Sequence, residues 1–539
     1  MILRIGLDFD NTIANYDQAF PDVARILGYQ TKATNKRDLK VELIASAEGE
    51  TAWQRVQGLT YGRHIDQASL YPGVLEFIVR ARACNCEVFI ISHKTQFGHF
   101  DDTRTSLRDA ATAWMASKRV VGQGAAQVTE EHVFYASTRD EKIAKIQDLS
   151  LDIFVDDLIE VLTDSLFPEK TRKILFAPIS EQSPDSDIAI TTSQSWREIG
   201  DELFGPIDAN DIQVGVRQLW PYLKCSSVAQ VEGRGNSKIF KLETAVGSVA
   251  LKVYPDSHAD IRPRRQTEWS ALNFLHANKL QAPAPVATDS ELNWSLLEWV
   301  AGVSGNQRGE SHLYIAADFI RGLNETTKNL SRSSMFVNAT ESCLTPEFVE
   351  QQISGRLMAL KSVEDKDLLH FLTNHLEPKF IEKAQRAREL LKGAYSTQIA
   401  EEFWTLSPSD FGLHNAIMTP QGDLVFFDFE YFGWDDPVKL TADFCHHPGM
   451  SISTSAQKMW IDQMDKIFGV DPSFMSRLSA LYPLYAIRWS LIILNEFRSD
   501  KIKNRLHAQS RMQTDIKSTQ TAQLEKAKLM IENLERSIF

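Results

Sequence analysis

Five short segments in the first 200 residues are apolar almost throughout, and stretches long enough to form helices separate them. The segments are LRIGLDF from Leu3, CEVFIIS from Cys86, HVFYAS from His132, DIFVDD from Asp152 and KILFAP from Lys173. Continuous apolar runs are typical of strands buried on both faces, because a strand with one solvated face alternates apolar and polar residues. The pattern predicts a doubly wound α/β domain built on a parallel sheet.

The first two predicted strands are separated by about 70 residues, whereas a crossover between parallel strands needs only about 10–12. We therefore expect an insertion that is helical from about Tyr16 to Leu70. A polar loop at 180–187 and a closing helix within SQSWREIGDEL complete the domain. We place the domain boundary near Gly205 and Pro206, which gives domains at 1–204 and 205–539. Because 539 residues exceed what one core supports, each domain is expected to have its own core.

The second region begins with three strand-like segments and one helix. The segments are SSVAQVEG, KIFKLET and GSVALKVYP, and the helix is predicted from about Pro263 to Lys279. After Gly302 the pattern is helical except between Leu406 and Glu430. A small β-rich lobe followed by a large α-rich lobe is similar to the two-lobed α+β order of kinase-like folds. The charged amphipathic tail from Leu506 to Phe539 is expected to pack on its own lobe, because its heptads are not sustained.

Charge, apolar runs and cysteines indicate which partners and which compartment to expect. The net charge is −13, which argues against a nucleic-acid partner because phosphate backbones are bound by clustered Lys and Arg. No apolar run of about 18 residues could span a bilayer, and no signal peptide precedes the first strand. We expect a cytoplasmic protein without a membrane partner, and nothing indicates its oligomeric state. The five cysteines are scattered and expected to be reduced: Cys84, Cys86, Cys225, Cys343 and Cys445.

The segment LDFDNTIANYD sets two carboxylates, Asp8 and Asp10, at the carboxyl end of the first strand. Ligands bind at that edge of an open α/β sheet. Residues two apart on a strand point to the same side, so both carboxylates can face one substrate. One can attack phosphorus, while the other protonates the leaving oxygen and later activates water.

Further candidates follow in the order that phosphate chemistry needs. Ser92 ends the second strand, where its hydroxyl can hold a phosphoryl oxygen. Lys142, or alternatively Lys145, offers a positive charge near the start of a helix. Asp156 and Asp157 end the strand DIFV. A lysine together with a carboxylate-bound Mg²⁺ can neutralise the oxygens of a transferring phosphoryl group.

These motifs together resemble the haloacid dehalogenase superfamily of phosphatases over about residues 1–204. The resemblance implies that Asp8 is the nucleophile, Asp10 the general acid and base, and Ser92 and Lys142 the phosphoryl-binding residues. It further implies a Mg²⁺ site formed by Asp8, the backbone carbonyl of Asp10, and Asp156 or Asp157. Position 11 departs from the family pattern, with Asn where many members have Gly.

The insertion resembles the helical cap of that superfamily, which would exclude water and select the substrate. Arg63 and His64 are candidates for binding a second anionic group, but solvent-exposed charges on a helix are the favoured interpretation. His93 and Lys94, which directly follow Ser92, are better positioned to meet a charge.

The second half carries the motif SPSDFGLHNAIM and, shortly after it, FFDFEYFGW. Asp410 and Asn415 are five residues apart, and Asp428 ends the apolar run LVFFD. Phosphoryl transfer of the kinase type needs a carboxylate at the attacking hydroxyl, and an Asn and an Asp to hold metal ions. Upstream, Gly233 and Gly235 lie between two strands, where backbone amides can approach phosphates.

Lys252 lies in the strand VALKVYP, and Glu268 follows 16 residues later on the next helix. With them, the second half resembles the aminoglycoside phosphotransferase and choline kinase family over about residues 206–500. The resemblance implies ATP and Mg²⁺, with Asp410 as catalytic base, Asn415 and Asp428 as metal ligands, and Lys252 and Glu268 positioning the nucleotide phosphates. It also implies an adenine-binding hinge around Glu298 and Trp299. The usual His two residues before the base is Pro408 here.

The leading hypothesis is a bifunctional, magnesium-dependent enzyme that phosphorylates a sugar, polyol or amino-alcohol and removes phosphate from a related metabolite. By analogy with the two families, the product would be a precursor of a surface polysaccharide. An alternative hypothesis keeps one activity and makes the other domain a binding or regulatory module. A third, a nucleic-acid end-processing kinase and phosphatase, is disfavoured because a P-loop and a basic surface are missing.

Overall fold

The computed structural model describes residues 2–178, 189–231, 237–255, 260–307, 311–328, 330, 336–450, 452–498, 516–536 and 538–539. The predicted polar loop at 180–187 and the glycines Gly233 and Gly235 lie outside the described residues. Within these ranges, no helix has both the length and the apolar character needed to cross a membrane.

The front domain contains eight strands and eight helices in its described part. The strands are β1 (Arg4–Leu7), β2 (Ala14–Asn15), β3 (Ser69–Leu70), β4 (Glu87–His93), β5 (Val133–Ala136), β6 (Ile153–Asp156), β7 (Arg172–Phe176) and β8 (Ile190–Ser193). The helices are α1 (Ala19–Ile26), α2 (Lys36–Ile44), α3 (Glu50–Tyr61), α4 (Val74–Ala83), α5 (Leu107–Ser117), α6 (Arg139–Asp148), α7 (Ile159–Leu162) and α8 (Trp196–Phe204).

Six strands form one parallel sheet in the order β5-β4-β1-β6-β7-β8. The five apolar segments are confirmed as β1, β4, β5, β6 and β7, and the closing helix is confirmed as α8. The edge strand β8 was not predicted, because ITTS lacks a continuous apolar run. The chain crosses from β1 to β4 on one side and later to β6 on the other, so β1 lies at the point where the strand order reverses. Ligand crevices form there.

The predicted insertion is helical and contains α1, α2 and α3, which we refer to as the cap. It enters through β2 and returns through β3, which pair antiparallel, with Ala14 opposite Leu70. Within the cap, Phe20 stacks on Trp53 at a ring-centroid distance of 5.1 Å, and both side chains are buried. The cap therefore has internal packing and is joined to the sheet domain by one two-stranded connection.

The second region contains the remaining strands and helices. The strands are β9 (Ser227–Val231), β10 (Lys238–Thr244), β11 (Gly247–Val253), β12 (Pro285–Asp289), β13 (Trp294–Glu298), β14 (Val303–Ser304), β15 (Thr405–Ser407), β16 (Ala416–Met418), β17 (Leu424–Phe426) and β18 (Gly433–Asp435). The helices are α9 (Ala209–Leu219), α10 (Arg264–Ala277), α11 (Ser311–Thr327), α12 (Pro346–Lys361), α13 (Lys366–Phe371), α14 (Glu377–Leu391), α15 (Pro437–His446), α16 (Thr454–Phe468), α17 (Phe474–Ile493) and α18 (Ile516–Glu532).

The two-lobed order is confirmed in the second region. Strands β12-β13-β11-β10-β9 form an antiparallel sheet with α10 beside it, which is the predicted small lobe. The large lobe is helical around the buried α17, and its non-helical interruption extends to Asp435, five residues beyond the predicted end. The tail helix α18 packs on this lobe as predicted, because Leu524, Ala527 and Ile531 are buried in its core.

The two domains do not have separate cores, contrary to the expectation from length. Helix α9, which was not predicted, packs on α4 of the front domain and on β9 of the small lobe. One continuous cluster of buried apolar side chains joins the front sheet, the cap, α9 and the small-lobe sheet. A second cluster joins the large lobe to α10 and β13 of the small lobe, and a third, smaller cluster lies within the front domain.

Gly215 of α9 lies at a close contact within this junction. A methyl group added at its Cα would lie 2.6 Å from the Trp294 ring and 3.4 Å from a methyl of Val79. Trp294 belongs to the small lobe and Val79 to the front domain, and both are buried. The absent side chain therefore allows the helix, the front domain and the small lobe to meet.

We predict that Gly215→Ala destabilises the protein by about 1–3 kcal/mol, because overpacking at this contact outweighs the gain in helix propensity. The matched control is Gly355→Ala, a helical position with open space around the added methyl. That change should stabilise by about 0.5–1 kcal/mol, since alanine loses less backbone entropy on folding than glycine. Differential scanning calorimetry of both variants measures the shifts, and equal shifts of the same sign would contradict the close contact.

Candidate active sites

The front site is organised around a buried lysine. Lys142, at the start of α6, has its Nζ 2.6 Å from Asp8 Oδ1 and 2.7 Å from Asp156 Oδ2. All three residues are at most 5% exposed. Burial alone would lower the pKa of Lys142, but the charges of Asp156 and Asp8 outweigh it and raise that pKa above its ordinary value. Lys145, the alternative from the sequence, instead lies with its Nζ 5.0 Å from the Phe134 ring centroid.

Register explains why these groups converge. Leu7 pairs with Ile90 of β4 and with Val155 of β6, so the next residue, Asp8, meets the carboxyl ends of both neighbouring strands. Asp156 is the last residue of β6. The sheet therefore brings together residues that are about 150 positions apart in the chain.

Three carboxylates of the front site could hold a divalent cation. Oxygens of Asp8, Asp156 and Asp157 lie within 4.8 Å of one another. Burial, and next the charge of Asp156, raise the pKa of Asp157 to about 7. Burial likewise raises the pKa of Asp8, although Lys142 opposes this effect. Such crowding of carboxylates is unfavourable without a cation, and an all-oxygen ligand set suits Mg²⁺.

Asp10 is held separately from these three carboxylates. Tyr16 of the cap connection donates a hydrogen bond to Asp10 Oδ1 at 2.8 Å. Lys94 Nζ lies 2.8 Å from Asp10 Oδ2 and 3.0 Å from Oδ1. The Asp10 side chain is 19% exposed, against 7% for Asp8. Asp10 is therefore positioned by neighbours yet remains open to a ligand.

Ser92, the residue before the last of β4, has an unsatisfied hydroxyl. Ser92 is 1% exposed, and its Oγ has no hydrogen-bond partner among the described residues. A buried hydroxyl without a partner costs free energy unless a ligand supplies an acceptor. The two residues that follow diverge, because His93 Nε2 lies 3.0 Å from the Ser137 carbonyl, while Lys94 turns into the site.

The cap contributes residues that the sequence did not indicate. Lys36, the first residue of α2, donates hydrogen bonds to Asn11 Oδ1 at 3.1 Å and to the Tyr61 hydroxyl at 2.9 Å. Arg63 is exposed, as the favoured interpretation expects, whereas His64 is only partly exposed, and both lie in the turn after α3 instead of on a helix. Asn11 has φ +57, a left-handed conformation that Gly and Asn tolerate best, which explains the departure from the family pattern at this position.

The back site has its own buried lysine. Lys252 Nζ, on β11, lies 2.7 Å from Glu268 Oε2 on α10 and 2.6 Å from Asp428 Oδ1. Glu430, which the sequence did not single out, lies 3.3 Å away. Tyr254 donates a 2.7 Å hydrogen bond to the same Glu268 oxygen. The predicted pair of Lys252 and Glu268 is thus together, with two further carboxylates around the lysine.

Asp410 forms a second cluster in the large lobe. Its Oδ1 is 3.1 Å from His414 Nε2 and 3.3 Å from His447 Nε2. Gly449 N donates to His447 Nδ1, so the proton of a neutral His447 lies on Nε2 and is donated to Asp410. Burial would raise the pKa of Asp410, but the hydrogen bonds from His414 and His447 outweigh it and hold that pKa well below its usual range.

The two imidazoles do not form a convincing metal site with Asp410. Their rings are stacked at a centroid distance of 3.7 Å with only 7° between the planes. The lone pairs of ring nitrogens lie in the ring planes, and two nearly parallel planes do not converge on one ion. The two histidines therefore orient the Asp410 carboxylate and keep it ionised.

The other predicted back-site residues are distributed as follows. Asn415 donates a 3.0 Å hydrogen bond from Nδ2 to the backbone carbonyl of Asp410. The backbone carbonyl of Asn415 accepts a hydrogen bond from the backbone N–H of Phe427, the residue before Asp428. Glu298 is exposed at the end of β13 and accepts a hydrogen bond from Ala284 N. The Trp299 ring lies 5.2 Å from Lys241 Nζ. These two hinge candidates are therefore in the small lobe, apart from the carboxylate clusters.

Comparison with known proteins gives one match to a protein family and one to a curated protein. Residues 228–447 match the model of the family described as "Phosphotransferase enzyme family". A protein of Oceanobacillus iheyensis named "Putative nucleotidase" is 26% identical over 181 residues, which cover 32% of this chain and 86% of that protein. Residues 228–447 thus carry a phosphotransferase-family domain.

Solved structures with similarity to this chain include three kinases or phosphotransferases. A spectinomycin phosphotransferase in complex with ADP and spectinomycin has a TM-score of 0.45 and 12% identity, covering 62% of this chain and all of that one. A choline kinase from Streptococcus pneumoniae has a TM-score of 0.41 and 14% identity over 60% of this chain and 99% of that one. An ethanolamine kinase from Plasmodium vivax has a TM-score of 0.38 and 13% identity over 62% and 86%.

The lysine assignment at the front site gives a stability test. Lys142→Met should destabilise the metal-free protein by about 3–5 kcal/mol, because it leaves Asp8 and Asp156 buried without a cation. Lys145→Met should cost no more than about 1 kcal/mol, the size of an exposed cation–π contact. Calorimetric unfolding in the presence of a chelator compares the two. If both variants unfold at the same temperature, the carboxylates do not depend on Lys142.

Proposed function

We propose that this chain is a bifunctional small-molecule enzyme, a Mg²⁺-dependent phosphomonoester phosphatase in its front domain and an ATP-dependent kinase in its back domain. One observation carries the proposal: each half contains its own buried lysine held between carboxylates, Lys142 in front and Lys252 behind. Phosphate chemistry requires such paired charges, because several oxygens must be neutralised while a nucleophile is kept ionised.

In the front site, Asp8 attacks the phosphorus and forms an acyl phosphate, and the bond from phosphorus to the leaving oxygen breaks. Asp10 gives its proton to that oxygen and then accepts a proton from the water that attacks the phosphorus in the second step. The bond to Asp8 breaks and inorganic phosphate is released. Lys142 offsets the charge around Asp8, and the unsatisfied Ser92 hydroxyl donates to a phosphoryl oxygen.

Asp8, Asp156 and Asp157 would hold Mg²⁺, which supplies charge neutralisation for the phosphoryl oxygens when it is bound. The likeness to a protein named a nucleotidase supports the front-domain assignment, and we include nucleoside monophosphates among its candidate substrates. Phosphorylated sugars and polyols complete that class.

In the back site, Asp410 accepts the proton of a substrate hydroxyl whose oxygen bonds to the γ-phosphorus of ATP, and ADP leaves. The depressed pKa of Asp410 makes it a weak base, which suits a loose transition state in which orientation of the hydroxyl matters more than early proton removal. Asn415 and Asp428 would hold Mg²⁺, and Lys252 would bind the nucleotide phosphates. Binding of the nucleotide then replaces the ion pair between Lys252 and Asp428.

A small hydroxylated molecule is the kinase substrate that best fits the chain. The family match supports phosphotransfer, and the net charge of −13 disfavours a nucleic acid. Sugars, polyols and amino-alcohols are the class to test first. A chain with a single activity and a regulatory second domain is the alternative that the following variants distinguish.

We predict that Asp8→Asn abolishes phosphate release from phosphomonoesters, since an amide cannot form the acyl phosphate. ATP-dependent kinase activity should stay within about threefold, because the reacting groups of the two sites are different. The matched control is Asp66→Asn, an exposed position in the cap, which should preserve both activities. Phosphate release and ADP formation are measured on the same preparations. Turnover of phosphomonoesters by Asp8→Asn at the wild-type rate would remove the nucleophile assignment.

The kinase site gives a second test, in which Asp410→Ala and Asp428→Ala both lose turnover but differ in nucleotide affinity. Asp410 acts on the hydroxyl, so Mg-ATP should bind within about threefold of wild type. Asp428 holds the metal, so its loss should weaken Mg-ATP binding about tenfold or more. Asp423→Ala, an exposed position on the turn between β16 and β17, is the control. Titration calorimetry measures all three, and equal weakening by the first two variants would mean that the roles are wrongly divided.

A further inference from the structure

Lys36 is a cation of the cap that reaches into the front site. It begins α2, and its two hydrogen bonds end on Asn11 Oδ1 and the Tyr61 hydroxyl, both neutral oxygens. The rings of Phe20 and Tyr61 lie 5.0 and 5.5 Å from Lys36 Nζ. Aromatic rings attract a cation but do not neutralise it, and an ammonium carries three protons, of which these contacts use two.

The other two lysines of the front site differ from Lys36 in their partners. Lys142 is paired with Asp8 and Asp156, and Lys94 is paired with Asp10. Among the residues that the structure describes, no carboxylate oxygen lies within 4.0 Å of Lys36 Nζ. Burial disfavours the charged form of Lys36, but Tyr61 and the more distant carboxylates of Asp10 and Asp157 outweigh this effect and raise the pKa of Lys36. The lysine therefore stays charged without a direct ion pair, and an anionic ligand group would supply one.

The position of Lys36 indicates which part of a substrate it would meet. The Tyr61 ring packs edge-to-face on Tyr16 at 4.8 Å, and Tyr16 donates its hydrogen bond to Asp10. Lys94, the ion-pair partner of Asp10, lies 4.8 Å from the same Tyr61 ring. Lys36 is thus on the side of Asp10, the acid of the leaving group, and its charge also acts on Asp157.

We propose that Lys36 is a specificity residue that binds a second anionic group, a carboxylate or a second phosphate, on the alcohol portion of the phosphatase substrate. This inference rests on the proposed phosphatase function. The transferring phosphoryl group already has Lys142, Ser92 and the carboxylate-bound cation, whereas the organic part of the substrate would face the cap. Asn11 then has a role that glycine at this position would lack, because its side chain holds Lys36 in place.

The inference also explains why the cap contributes this residue. Lys36 follows Asn35, whose side chain accepts a hydrogen bond from Asp38 N and caps α2. The lysine is therefore fixed at the first turn of a capped helix, and its long side chain spans from the cap to Asn11 of the sheet domain. A substrate bound by both parts would hold the cap against the sheet.

The test compares Lys36→Met, which keeps the length of the side chain and removes its charge, with Lys40→Met one turn further along α2. Lys40 is exposed, and its Nζ lies 5.5 Å from the Trp53 ring, away from Asn11. The kcat/KM of each variant is measured for phenyl phosphate, a phosphorylated hydroxy acid and a bisphosphorylated polyol. Lys36→Met should reduce the preference for one of the two doubly anionic substrates over phenyl phosphate by at least tenfold, and Lys40→Met should leave all three values unchanged.

The same comparison is made for binding in the Asp8→Asn background, where turnover does not interfere. Titration calorimetry is carried out with inorganic phosphate and with both doubly anionic compounds. We expect Lys36→Met to reduce the affinity for one doubly anionic compound at least tenfold more than the affinity for phosphate. The arm that responds identifies the second group as carboxylate or phosphate. Equal loss for phosphate and for both compounds, or no loss at all, would overturn the proposal.

Failure of the proposed function has a different signature. If the wild-type protein hydrolyses no phosphomonoester, the phosphatase assignment fails, whereas the binding comparison still decides the role of Lys36. If the wild-type protein is active and Lys36→Met reduces turnover of all three substrates by the same factor, the phosphatase assignment stands and the lysine only secures the cap.

Discussion

Each half of this protein depends on a buried lysine that lies between carboxylates. Burying an ion is costly unless its partner is close and its remaining protons are bound, and the distances of 2.6 and 2.7 Å around Lys142 meet that requirement. The sheet fixes these distances, since β1 is in register with β4 and β6 where Asp8 follows β1 and Asp156 ends β6. Lys252 is likewise buried between carboxylates, but it lies on an antiparallel sheet, and its partner Glu268 lies on a helix.

The two sites belong to one continuous structure. The indole of Trp196 donates a hydrogen bond to the carbonyl of Thr12, beside the front site. The next residue, Arg197, donates to the carbonyl of Tyr254, whose hydroxyl in turn donates to Glu268 in the back site. With Gly215 packed at the same junction, the front domain and the small lobe share a core. The large lobe in turn shares a second buried cluster with α10 and β13 of the small lobe.

Several residues around the sites were beyond the reach of sequence reasoning. Lys36 gave no signal, because it is a lysine on an amphipathic helix 26 positions after Asp10, and such residues are usually solvated. No sequence motif indicated His447 either, since only the fold brings it into contact with His414 and Asp410. Lys142 and Lys145 are three apart on one helix, so their spacing alone left both open. Only their packing distinguishes the buried one.

The sequence by itself determined the architecture. Continuous apolar runs specify buried parallel strands, and alternation of strand and helix specifies their layering, because these patterns follow from the local periodicity of the chain. It also indicated Asp8, Asp10 and Asp428, because acids that follow apolar runs lie at strand ends, and Asp410 through its spacing from Asn415. The tertiary structure alone decided how these groups are paired, which lysine is buried, and that the two domains share a core. Those outcomes depend on distances between residues far apart in the chain, and no local pattern encodes such distances.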